Sequence, residues 1–155
     1  MNRRNLFATI AALPLLGMAG QCTLTPSQLQ TDADLVRFGV DLFAPALKQA
    51  DPSAAALIDR SVAAVDAADV ALRSATGADA RTAVQRLVDG SQAIAPVGIA
   101  LLRAGSAEQL AATAALALLP AILAAAGIAS AQTMRAVRPV MDVETARNYL
   151  RGLRR

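Results

Sequence analysis

Twenty-six consecutive residues, Gln109 to Met134, carry no charge, and Leu110 to Ala131 within them is almost wholly apolar. No other feature limits the fold as sharply. A run of this length must be buried, either in the core of a helical bundle or in a bilayer. Alanine dominates the run, and Pro120 sits near its middle. Alanine contributes little to membrane insertion, and a helix that is apolar on all sides suits the centre of a small bundle. Residues 106–131 are therefore read as a core helix. Ser106 opens it with Gln109 three residues on, the spacing of a capping box. The competing reading is a transmembrane span at 110–131. If residues 22–109 are exported, that span puts Arg135, Arg138, Arg147, Arg151, Arg154 and Arg155 on the cytoplasmic side, as the positive-inside rule requires.

The rest of the chain is also built from helix formers. Of 155 residues, 38 are Ala and 21 are Leu, while aromatic residues make up only 3%. Strands favour aromatic and β-branched residues, so this balance points to an all-α fold. Pro26-Ser27 opens a first helix. Leu29, Ala33, Val36, Val40, Phe43, Leu47 and Ala50 then recur in steps of four and three, a heptad-like seam. Leu35, Phe38 and Leu42 widen that seam, and Pro45 is expected to kink or end the helix near Ala44. Asp51-Pro52 starts a second helix that runs to about Ala75, with Ile58, Val62, Val65, Ala68 and Leu72 as its apolar stripe. Asp59, Asp66 and Arg73 fall on another of its faces, read as solvated, with Asp69 and Arg73 spaced to pair. A third helix is expected from Asp79 to Ala95, followed by an apolar connector, Val97 to Leu102, bracketed by Pro96, Gly98 and Gly105. Asp142 caps a short basic helix over 142–153, with Ala146, Tyr149, Leu150 and Leu153 on one face. The expected architecture is a small Ala-rich bundle of three to five helices over residues 22–155.

Residues 1–21 read as a signal peptide. A short positive segment holding Arg3 and Arg4 precedes an uncharged apolar run, Leu6 to Gly20. The paired arginines fit twin-arginine export and ordinary export alike. The one cysteine of the chain, Cys22, follows directly, where a bacterial lipoprotein carries its lipidated thiol. Gln21 is longer than the small residue usual before such a cysteine. Plain cleavage after Ala19 is the second option, and an uncleaved anchor over 6–21 the third. Lipidation of Cys22 is the reading preferred here.

Several chemistries are missing from the residue inventory. There is no His, so no His-based general base, triad or His-ligated metal site. A single Cys leaves no CxxC site, and no phosphate-cradling glycine loop occurs. No catalytic residue, metal ligand or cofactor is assigned. Residues 22–109 carry ten acidic and seven basic side chains, whereas residues 110–155 carry six Arg against Asp142 and Glu144. A nucleic-acid binder normally places its basic surface on the folded body, so no nucleic-acid partner is expected.

Three segments carry a family resemblance: Cys22-Thr23-Leu24-Thr25-Pro26, Leu118-Leu119-Pro120-Ala121-Ile122 and Ala146-Arg147-Asn148-Tyr149-Leu150. With the signal, the amphipathic helices and the terminal helix, the layout resembles small exported, Ala-rich hypothetical proteins of alphaproteobacterial prophage regions. That resemblance implies an envelope setting and a helical architecture, and no activity. The expected function is non-enzymatic, at the periplasm-facing membrane surface, through contact with a protein partner, a second copy or lipid. Membrane lipid would be engaged through Cys22 or through residues 110–131. The alternative is a small membrane-spanning protein of the phage-lysis, holin-like kind.

Overall fold

A computed structural model describes residues 26–128 and 141–155. The heptad-like seam of the first segment lies on α1 (Pro26–Ala50). A single 3-10 turn, Pro52–Ala54, leads into α2 (Ala55–Leu72), and α3 (Gly77–Leu101), α4 (Ala107–Ala125) and α5 (Val143–Leu153) follow. No strand occurs among the described residues, so the protein is an all-α helical bundle.

α1 buries Ala33, Leu35, Val36, Val40, Phe43 and Leu47, which include five of the seven seam positions. Of the kink or end expected near Ala44, the end does not occur: α1 continues through Pro45 to Ala50. Proline lacks the N–H that would bond to the Asp41 carbonyl. Burial of Ala44 and Leu47 on either side of Pro45 holds the chain helical across that gap. α3 gives the same correction. The expected connector from Val97 to Leu102 is the last part of α3, which runs through Pro96 to Leu101. Gly98 is helical because Phe43 packs onto it: a Cβ there would stand 3.3 Å from the Phe43 ring.

α4 is the central helix, packed against α1, α3 and α5. Ten of its 19 residues are buried, including the unbroken run Ala114 to Leu119. Six successive residues sweep the whole circumference of a helix, so neighbours must cover α4 on several sides. The alanines allow this. At the α1–α4 crossing a Cβ on Gly39 would lie 3.3 Å from both the Ala111 carbonyl oxygen and the Ala115 Cβ. Leu118, Leu119, Ile122 and Leu123 are each fully buried. Each such side chain contributes about 1.5–3 kcal/mol relative to exposure.

The ends of α4 are set by local chemistry. Ser106 Oγ accepts from Gln109 N–H at 3.2 Å. The Gln109 side chain reaches back, but to the N–H of Gly105 at 2.8 Å rather than to that of the cap residue. Its amide nitrogen also donates to the Ile99 carbonyl at 2.9 Å, tying the α3–α4 turn together. The helix stops at Ala125, short of the expected Ala131. Gly127 takes φ 67°, its N–H donates to Ala124, and the Ile128 N–H donates to Leu123. This is a Schellman closure, for which glycine is the favoured residue. Residues 129–131 lie outside the described residues.

α2 and α3 pack closely at Gly90, where a Cβ would come within 3.0 Å of Val65 Cγ2 and 3.1 Å of the Ser61 carbonyl. α5 begins where expected. The Asp142 carboxylate accepts from Thr145 N–H at 2.9 Å and from its hydroxyl at 2.6 Å. Those bonds hold the Asp142 carboxyl below the usual carboxylate range. Ala146 and Leu150 are its buried residues, and the Leu150 side chain reaches the α1–α4 crossing beside Gly39.

Candidate functional site

The polar side chains of the bundle gather along one edge of α1. Asp32, Asp34, Arg37 and Asp41 project from it between α2 and α5. α2 contributes Asp66, Asp69 and Arg73, whose spacing of three and four keeps them on one side of the helix. α5 contributes Glu144, Arg147 and Arg151, and Arg154 follows at its C-terminal end.

Toward α2, Arg37 Nε donates to Asp66 at 2.5 Å, and its Nη1 lies 3.5 Å from Asp69. The Asp66 hydrogen bond holds the Arg37 pKa above its ordinary value. Arg73 Nη2 donates to Asp69 at 3.1 Å and to Asp34 at 3.2 Å. Gln30 Nε2 bridges the same two carboxylates, at 3.1 Å to Asp69 and 3.2 Å to Asp34. The Asp69 side chain is fully buried, and burial pushes its carboxyl above the usual range. The Arg73 hydrogen bond opposes that shift, while neighbouring Asp34 adds to it. Asp41 is raised as well, first by burial and then by the negative charge of Asp66. At the far end of the seam Lys48 pairs with Asp59.

The face of α2 read as solvated is exposed at Asp59 and Arg73 and half-buried at Asp66, and it also carries cross-helix pairs. The Asp69–Arg73 pair forms as its spacing indicated, but Asp66, Asp69 and Arg73 also bridge to α1. The partners come from a second helix, which periodicity within α2 alone does not reveal.

Toward α5 stands a single, better sheltered pair. Arg147 Nε and Nη2 donate to the two oxygens of Asp32 at 2.8 and 2.6 Å. The side chains are 2% and 17% exposed for Asp32 and Arg147. This fork-to-fork contact is the strong form of an ion pair, and it holds the Arg147 pKa above its ordinary value. The sequence places Arg147 on a short basic helix and sets Asp32 among charges that largely avoid the apolar seam of α1, whereas Asp32 is buried. A signal was available: Asp32 lies three residues after Leu29 and four before Val36, on the core side of α1. A buried carboxylate there requires a cationic partner.

Two shallow clefts flank these pairs. One, of about 130 Å³, is lined by Asp34, Arg37, Phe38, Asp41, Arg73 and Arg154. The other, of about 230 Å³, is lined by Gln28, Thr31, Asp32, Glu144, Arg147 and Arg151. The one hydroxyl in their linings, Thr31, donates to the Ser27 carbonyl at 2.8 Å rather than to a carboxylate. Carboxylates and guanidinium groups alternate along the seam, and among the described residues no three or more His, Cys, Asp or Glu side chains converge as a metal site. Such an arrangement fixes helices against one another and presents charge at its margins.

The residues assigned to export and lipidation, Arg3, Arg4 and Cys22, lie outside the described residues, as do Arg135 and Arg138. By length and composition α4 is the one helix among the described residues able to cross a membrane, and it is also the helix at the centre of the bundle. Comparison with family models, with curated proteins and with solved structures returned no match.

Proposed function

We propose that this chain is an exported, non-enzymatic helical protein, tethered to the envelope membrane through a lipid on Cys22 and acting by contact with protein or lipid. The observation that carries the reading is the packing of α4. Ten of its 19 residues are buried where α4 packs against α1, α3 and α5, which supports a core role for this helix. The sequence order of paired Arg, apolar run and single Cys supports anchoring through Cys22. Use of α4 as a bilayer span would strip α1 and α3 of the surface that Phe43, Ile94 and Ala95 now share in the core.

The test is membrane retention after an alkaline carbonate wash, comparing the tagged parent with Cys22→Ala, together with incorporation of a labelled fatty acid. The reading expects label on the parent alone and release of the variant. Retention of both, with no label on the parent, would sink it. The holin-like alternative, which rests on the length and apolarity of α4, would then take its place.

A further inference from the structure

We propose that the exposed end of α5 is a lipid-contacting surface that binds the anionic phosphate headgroups of the membrane. Arg151, Leu153, Arg154 and Arg155 are all exposed, and Leu153 keeps 40% of its surface in water. Among the described residues none of these three arginines stands in an ion pair, in contrast to Arg147 of the same helix. Arg154 borders the cleft that holds Asp34 and Asp41, but those carboxylates lie next to Arg73 and Arg37. Ala146 and Leu150 face the bundle, so the contact falls to the helix end, where the unpaired guanidinium groups meet phosphates and Leu153 reaches the acyl boundary.

Charge distribution gives the surface a direction. Residues 26–128 carry ten acidic and seven basic side chains, while residues 141–155 carry four Arg against Asp142 and Glu144. An anionic leaflet therefore attracts α5 and repels the remainder of the bundle. Geometry agrees. Arg151 lines a cleft with Gln28 and Thr31 at the start of α1. That end of the bundle is only six residues of chain beyond Cys22. A lipid on Cys22 and the α5 arginines would approach the same leaflet together, as a lipid chain plus a basic patch does in stable peripheral anchoring. This orientation rests on the envelope reading above, whereas the headgroup contact does not require Cys22 to carry lipid.

The experiment uses the full chain carrying Cys22→Ala, so that lipidation plays no part. Its flotation is measured with vesicles of phosphatidylglycerol and phosphatidylcholine and with phosphatidylcholine alone, at low and high salt. Arg151→Gln/Arg154→Gln/Arg155→Gln is compared with Arg60→Gln/Arg86→Gln/Arg103→Gln, which removes the same charge from exposed sites elsewhere. Each arginine near an anionic surface is worth roughly a five-fold gain in partitioning. The α5 variant should therefore lose on the order of 100-fold on anionic vesicles, and the control variant little. High salt should shrink the difference. Equal loss in both variants would reduce the effect to net charge and overturn the proposal, as would unchanged binding of the α5 variant. Failure here leaves the fatty-acid label on Cys22 untouched, and absence of that label leaves this result untouched.

Discussion

Arg147→Met is the most informative single change in the bundle. It leaves the Asp32 carboxylate, 2% exposed, without either of its guanidinium hydrogen bonds. Breaking a buried ion pair from one side costs about 3–5 kcal/mol, because the remaining charge is neither paired nor hydrated. The 17% exposure of Arg147 puts this site at the lower end, since water reaches its rim. α5 has a way out. By leaving the bundle it rehydrates Asp32 and gives up mainly the burial of Leu150 and Ala146. Leu150 contributes about 1.5–3 kcal/mol and Ala146 about 0.8 kcal/mol. The loss therefore saturates near 2–4 kcal/mol, roughly a third of a typical domain's stability. Urea unfolding should show that decrease, and hydrogen exchange should show α5 amides losing protection while α2 and α3 keep theirs. Asp32→Leu/Arg147→Met should recover most of the loss, because no charge is left buried. A loss below about 1 kcal/mol in the single variant, or a double variant worse than the single, would refute the assignment of this pair as the clasp that docks α5.

Three further outcomes follow from the packing and electrostatics. Gly90→Ala should destabilise by about 1–3 kcal/mol despite alanine's better helix propensity, because the new Cβ meets the Ser61 carbonyl at 3.1 Å; an unchanged thermal midpoint would contradict the close α2–α3 contact. Ser91→Ala should be neutral or stabilising by about 1 kcal/mol, since the Ser91 hydroxyl is buried without a hydrogen-bond partner; clear destabilisation would show that it has one. Asp69 and Asp41 are raised in the folded state, so the native protein binds protons more tightly there than the unfolded chain does. Their contribution to stability therefore falls as pH rises from about 3.9, the unfolded value, through the raised folded values. Asp69→Asn should make the stability-against-pH slope above about pH 4 less negative, as urea midpoints across that range would reveal.

Helix starts were the most legible part of the fold. Asp51, Ser106 and Asp142 each act as caps, because capping is a bond between residues two or three apart. The buried stripes of α1 and α2 were legible for a similar reason, as periodicity is local. Helix ends were read less well. Pro45 was read as a kink or an end and Pro96 as the edge of a connector, yet both helices continue, held by Leu47 and by Gly98 against Phe43. Those stabilising contacts come from tertiary packing, which overrides a local penalty of about 3 kcal/mol. Gly127 ends α4 earlier than apolarity alone suggested.

The polar seam was the least legible feature. Asp69–Arg73, four residues apart, could be found by spacing. Arg37–Asp66 and Arg73–Asp34 depend on the register of α1 against α2, and Asp32–Arg147 joins residues 115 apart in sequence. No helical period encodes such a pairing, although a carboxylate on the core side of α1 marks where one is needed. Likewise the grouping of Arg151 with Gln28 and Thr31 emerges only once α5 lies against α1.

The central claim is that α4 is the interior of the helical bundle, in place of a bilayer span. Leu118, fully buried at the middle of α4, tests it most directly. In a Cys22→Ala background, Leu118→Cys supplies the only thiol of the chain. The unfractionated lysate, with its membranes still present, is treated with a maleimide in buffer, in urea without detergent, and in urea with detergent. The account predicts protection in buffer and full labelling in urea alone, because unfolding the bundle exposes the thiol to water. Protection that persists in urea until detergent dissolves the bilayer would contradict it.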